Sequence, residues 1–121
     1  MLSIDHVQLA APPGCEAAAR GFFVDLLGLT EIPKAGQTAT TGGIWLITGS
    51  VQLHVGVSSA FSPAKKAHVA LRAASAEQLQ ALARSLEGSG HHVKWDTRLP
   101  GVDRFFTTDP WGNRVELLCS H

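Results

Sequence analysis

The stretches His6-Val7-Gln8-Leu9 and His68-Val69-Ala70-Leu71 put a histidine at the head of the same HVxL pattern, sixty-two positions apart. The same shift lays Gly28 on Gly90, and Leu53-His54-Val55 on Val115-Glu116-Leu117, with no gap. Three imidazoles and a carboxylate therefore fall at corresponding places in the two halves of a 121-residue chain. Neutral histidine and carboxylate are good ligands for a divalent ion such as Zn, Ni, Fe, Mn or Co. A single histidine on a strand is more often an ordinary hydrogen-bonded residue; the duplication is what raises ligation above that reading. Glu116 has a competing structural reading, an ion pair with Arg104 or Arg114.

The elements that must carry these residues repeat in the same order. Residues 4–10 are short, β-branched and alternating, which favours a strand. Pro12-Pro13-Gly14 stops it, and the following segment, with Ala17, Phe22 and Leu26 on one face and Gly28 at its end, predicts a helix of about four turns. Strands follow at 29–34, 43–48 and 51–57, with turns at Thr40 to Gly43 and at Gly49-Ser50. The second half predicts a strand at 66–73, a helix at 75–88 capped by Ser75 and stopped by Gly90, and strands near 92–96, 103–108 and 114–119. In Asp109-Pro110-Trp111-Gly112-Asn113, Pro110 presets a turn and Gly112 tolerates positive φ. The result is βαβββ, twice: module 1 over 1–60 and module 2 over 64–121, joined by the polar stretch around Ser58 to Lys66.

Side chains alternate across a strand, so parity sorts the candidates. His6 and Gln8 oppose Val7 and Leu9, and Gln52 and His54 oppose Val51, Leu53 and Val55. His68 and Arg72 oppose Val69 and Leu71, and Arg114 and Glu116 oppose Val115 and Leu117. Each of these strands has one apolar face for the helices and one face bearing a polar group. Trp45 and Phe106 are candidates for an aromatic wall near the site, although a core role is the commoner fate of such residues. His91, His92 and His121 gain nothing from parity and read as solvated.

Composition narrows the function classes. Lys plus Arg and Asp plus Glu number ten each, so the formal charge is zero and no basic footprint for nucleic acid exists. No apolar run is long enough to span a membrane, and the first twenty residues lack the pattern of a signal peptide, which predicts a cytoplasmic protein. Cys15 and Cys119 then read as reduced packing residues.

The duplicated βαβββ order, the Asp5-His6-Val7 and Ala67-His68-Val69 openings and the closing RFFTTDPWGNRVEL resemble the vicinal oxygen chelate superfamily, which includes glyoxalases, bleomycin resistance proteins and extradiol dioxygenases. The resemblance covers essentially the whole chain and is most specific in the DPxGNxxEL ending. It implies an α+β fold in which the two modules form a cup-shaped, eight-stranded mixed sheet with helices outside and one divalent metal in the cup. Metal ligands match His6, His54, His68 and Glu116; members with three protein ligands match His6, His68 and Glu116. The implied chemistry is stabilisation of charge on two neighbouring substrate oxygens, with Glu116 also a candidate proton carrier. Arg72, Arg104 and Arg114 would suit a small anionic substrate.

The departures are informative. Lactoylglutathione lyases carry glutamate or glutamine where this chain has His54, and fosfomycin-modifying members keep two histidines and a glutamate. Extradiol enzymes use further His and Tyr, whereas this chain has no tyrosine. The expectation is a metal-dependent lyase, isomerase or oxygenase acting on a small oxygenated molecule. The alternative is a metal-free sequestering protein of the bleomycin resistance type. Superfamily members of this size commonly dimerise, so a homodimer is expected.

Overall fold

The computed structural model describes residues 1–121. The chain divides into two compact units, Met1–Pro63 and Ala64–His121. Each unit is a four-stranded mixed sheet with its own helical segment.

In the first unit the elements are β1 (His6–Ala11), α1 (Glu16–Ala19, continuing as a π-helix over Arg20–Leu26), β2 (Thr30–Ile32), β3 (Ile44–Thr48) and β4 (Val51–Val57). The sheet order is β1-β4-β3-β2, with β1 parallel to β4 and the other pairs antiparallel. Leu9, Ala11, Ile44, Leu46, Leu53 and Val55 are buried on one face, as alternation requires. A 3₁₀ turn over Gly36–Thr40 lies in the β2–β3 connection, where only loop chemistry was expected.

The helix expected to run about four turns is shorter in the structure, covering residues 16–26, and after one α turn its backbone widens, with Leu27 N–H donating to Phe22 O at 3.0 Å. Widening reduces the angle between successive side chains. Adjacent Phe22 and Phe23 can then both be buried, at 1% and 0% exposure, and their rings meet edge to face at 4.9 Å. The helix ends as expected at Gly28, whose φ of 81° suits glycine. Gly43 is required for a different reason: a Cβ there would lie 2.1 Å from Val55 O, and its N–H donates to Glu16 Oε2 at 2.7 Å, tying the start of α1 to the start of β3.

The second unit repeats the plan with β5 (Val69–Arg72), α2 (Ala76–Gly88), β6 (Lys94–Asp96), β7 (Val102–Thr108) and β8 (Arg114–Ser120), in the order β5-β8-β7-β6. Ser75 caps α2 by accepting from Gln78 N–H at 3.1 Å. Leu79, Ala83 and Leu86, spaced at helical intervals, are buried in its apolar stripe, each leucine contributing roughly 1.5–3 kcal/mol by burial. The eight expected strands and their order are present, but they hydrogen-bond as two four-stranded sheets rather than one of eight. No helix is long and apolar enough to cross a membrane.

Candidate functional site

The register of the first sheet places His6 opposite Gln52 and Gln8 opposite His54, with Trp45 opposite His54 on the other side. The three rings stack in a row: His6 on His54 at 4.3 Å and 13°, and His54 on Trp45 at 4.2 Å and 5°. His54 is thereby 6% exposed although it lies on the polar face, while His6 is exposed. These side chains line a concavity of about 600 Å³, together with Gln8, Lys34 and Gln52.

The hydrogen bonds decide which nitrogens carry lone pairs. His6 Nδ1 donates to Asp5 Oδ2 at 2.8 Å, leaving Nε2 bare in the neutral ring. His54 Nε2 donates to Gln52 Oε1 at 2.9 Å, leaving Nδ1 bare. Burial, and then the neighbouring His6, push the His54 pKa below the ordinary imidazole value. An NMR titration should therefore show His54 protonating below about pH 6.5. The variant His6→Ala, which removes both cover and neighbouring charge, should move the midpoint upward. A His54 midpoint at or above the ordinary value in the parent would show that the stack is not formed.

In the second sheet, Ala70 lies opposite Glu116, and Phe106 opposite Glu116 on the other side. His68 Nε2 stands 2.9 Å from Glu116 Oε1, and Glu116 is buried at 5% exposure. His68 Nδ1 donates to Lys66 O at 2.9 Å. A neutral His68 would thus turn a lone pair toward the carboxylate. The contact needs a proton, on the ring or on the carboxyl, or a cation shared by the two acceptors. His6 and His68, the heads of the two HVxL stretches, are both held through Nδ1 with Nε2 left to act. Asp5 and the Lys66 carbonyl hold them, and only Asp5 stands in the quoted motifs.

The other Glu116 oxygen, Oε2, accepts from Arg104 Nη1 at 3.4 Å, and Arg104 Nη2 lies 3.6 Å from Asp96 Oδ1. The expected ion-pair partner Arg104 is therefore present. Arg114 is not: its guanidinium lies over the Phe106 ring, 3.8 Å from the centroid. Arg72 shares the face by parity but donates to Ser120 Oγ at 2.6 Å, at the exposed end of β5. Phe106 is buried at 8% exposure and also meets His68 edge to face at 5.7 Å. His121, expected to be solvated, is exposed but lies 3.1 Å from Asp103 Oδ1. Cys15 and Cys119 are free thiols; Cys15 is buried, and burial first, then Glu16, raises its pKa.

The structure thus brings His6 together with His54 and Trp45, and His68 together with Glu116, Arg104 and Phe106. Neither unit alone gathers three His, Cys, Asp or Glu side chains able to hold a metal ion. Parity puts Gln52 on the His54 face but gives it no role, whereas Asp96, Lys65 and Lys94 were not singled out from the sequence, and Asp96 and Lys65 gave no signal.

The βαβββ order of each unit, with His6 and His68 at the heads, is the one expected of the vicinal oxygen chelate superfamily. No protein-family model and no curated protein matches the sequence. Among solved structures, a glyoxalase family protein from Bacillus anthracis is 39% identical, with a TM-score of 0.92 over 100% of this chain and 97% of the other. On that likeness the chain belongs to the glyoxalase family of this superfamily. A lactoylglutathione lyase from Agrobacterium tumefaciens (20% identity, TM-score 0.75, covering 97% of this chain and 92% of the other) shares the fold. So does a glyoxalase/dioxygenase from Nostoc punctiforme (17% identity, TM-score 0.80, covering 98% and 91%).

Proposed function

We propose that the protein is a metal-dependent enzyme, a lyase, isomerase or oxygenase, acting on a small oxygenated substrate. One divalent ion, Zn, Ni, Fe, Mn or Co, would be held by His6, His68 and Glu116, with His54 as a further donor. The observation that carries this reading is the pair of histidines oriented through Nδ1, with His68 Nε2 facing a buried carboxylate at 2.9 Å. Two acceptors in that relation suit a cation better than they suit each other. When bound, the ion would supply Lewis acidity toward charge developing on substrate oxygens. Glu116 would carry a proton, and Trp45 and Phe106 would bound the substrate. Arg104 holds Glu116 rather than substrate, which leaves Arg114 as the cation of the three arginines best placed for an anionic group.

A second reading has one observation in its favour. The His6, His54 and Trp45 rings form a stacked wall on the concavity of the first unit, a surface suited to a flat ligand. On that reading the protein sequesters a small molecule without metal, as bleomycin resistance proteins do.

Elemental analysis of protein purified without chelator separates the two. About one ion per chain is expected, lost in His6→Ala and Glu116→Ala while both variants stay folded, with affinity falling as pH falls because protons compete with the metal for its ligands. No metal after incubation with all five ions would turn the assignment to sequestration. We further propose a homodimer in a cytoplasmic setting. Metal lost on dilution to monomer would place ligands from two chains on one ion, and metal retained would place the site in one chain.

A further inference from the structure

The second unit holds a pocket of about 230 Å³ lined by Lys65, Lys94, Arg114 and His92, with Phe106 as its aromatic surface and no carboxylate in its lining. Its walls are mostly apolar. The backbone sets the arrangement. Lys94 of β6 lies opposite Phe106 of β7, and Arg114 opens β8 opposite Thr108 of β7. The connector is clamped beside them: Ala64 N–H donates to Asn113 Oδ1 at 2.9 Å, and Arg114 N–H donates to Ala64 O at 2.8 Å. That clamp fixes the backbone on which Lys65 stands.

The pocket gathers three cations with no carboxylate in its lining. Arg20, Arg98 and Arg104 each have a carboxylate within 4 Å, whereas Lys65, Lys94 and Arg114 have none. Stacking on Phe106 orients the Arg114 guanidinium without neutralising it. Three cations around one opening repel one another until an anion sits between them.

We infer that this pocket binds a small organic anion, with its apolar body against Phe106 and its carboxylate or phosphate between Lys65, Lys94 and Arg114. That this anion is the substrate's charged end rests on the catalytic reading above; the binding itself does not.

The test is an NMR titration of the full ¹⁵N-labelled chain, chelator-treated and metal-loaded in parallel, with benzoate, phenyl phosphate, inorganic phosphate and benzyl alcohol. Benzoate and phenyl phosphate should shift the Phe106, Thr107 and Gly112 amides saturably in both metal states, with Kd on the order of 1 mM. Inorganic phosphate and benzyl alcohol, each lacking one half of the ligand, should bind at least about tenfold more weakly. Lys94→Ala and Arg114→Lys should each weaken benzoate by about three- to tenfold. Lys65→Ala, an exposed change that leaves the sheet intact, should do the same and guards against a folding defect at Arg114.

The absence of saturable shifts, benzyl alcohol binding as well as benzoate, or affinity indifferent to all three substitutions would overturn the inference. Benzoate binding only to metal-loaded protein would also overturn it, by placing the anion on the metal, while leaving the catalytic reading intact. Binding to a chain that takes up no metal would uphold the pocket and remove the catalytic role.

Discussion

Glu116→Gln is expected to lower affinity for the divalent ion by on the order of a hundredfold or more, measured by competition with a chromogenic chelator. The substitution keeps the volume and planarity of the side chain and removes its charge. Its amide oxygen can still accept from Arg104, and Arg104 retains Asp96, so the cost in folding stability should stay at roughly 1–3 kcal/mol. The two effects separate the two readings of this residue. If Glu116 serves only to pair with His68 and Arg104, the variant loses stability and the metal content does not change. If it is a ligand, metal is lost from a chain that still folds. An unchanged metal affinity in Glu116→Gln would sink the assignment of Glu116, and with it the proposed proton carrier.

What was legible beforehand follows from which physical signals are local. Period-two alternation in VQLHV and RVEL placed His54 and Glu116 on strands, opposite their apolar neighbours, and both lie within strands; that both are also buried, like the residues on either side, is not readable from alternation. The order of eight strands was legible for the same reason. Parity does not say which edges hydrogen-bond, so the division into two four-stranded sheets was not. The α1 segment was legible as a helix, but its widening around adjacent, buried Phe22 and Phe23 leaves no signal in an apolar periodicity. At the candidate site, residue types were readable but proton positions were not. Those depend on Asp5, Gln52 and the Lys66 carbonyl, partners one or two residues away whose direction only the folded backbone sets. Arg104 and Arg114 look alike in sequence, yet one is bound to Glu116 and the other stacks on Phe106 with no counter-charge.

The turn that closes β7 and β8 supplies the second large effect. Asp109 and Asn113, each 2% exposed, face one another across Pro110, Trp111 and Gly112. The Asp109 carboxylate accepts from Trp111 N–H at 3.1 Å, from Asn113 N–H at 2.8 Å and from Asn113 Nδ2 at 2.7 Å. Asn113 Oδ1 in turn accepts from Ala64 N–H. Burial raises the Asp109 pKa, and these hydrogen bonds pull the other way. Asp109→Ala should cost about 2–4 kcal/mol, because it strands buried donors in the turn while sparing the cost of burying the carboxylate. In a chain of this size that is a fall in Tm on the order of 10 °C. Asn113→Leu should cost as much by a different route, removing the side-chain donor to Asp109 Oδ2 and leaving Ala64 N–H without its acceptor. It should also free the backbone under Lys65 and weaken benzoate binding, which Asp109→Ala would do only through the same turn. Urea denaturation of both variants measures the effect. A loss below about 1 kcal/mol in each would mean that water satisfies these groups and that the DPWGN turn is held by Pro110 and Gly112 alone.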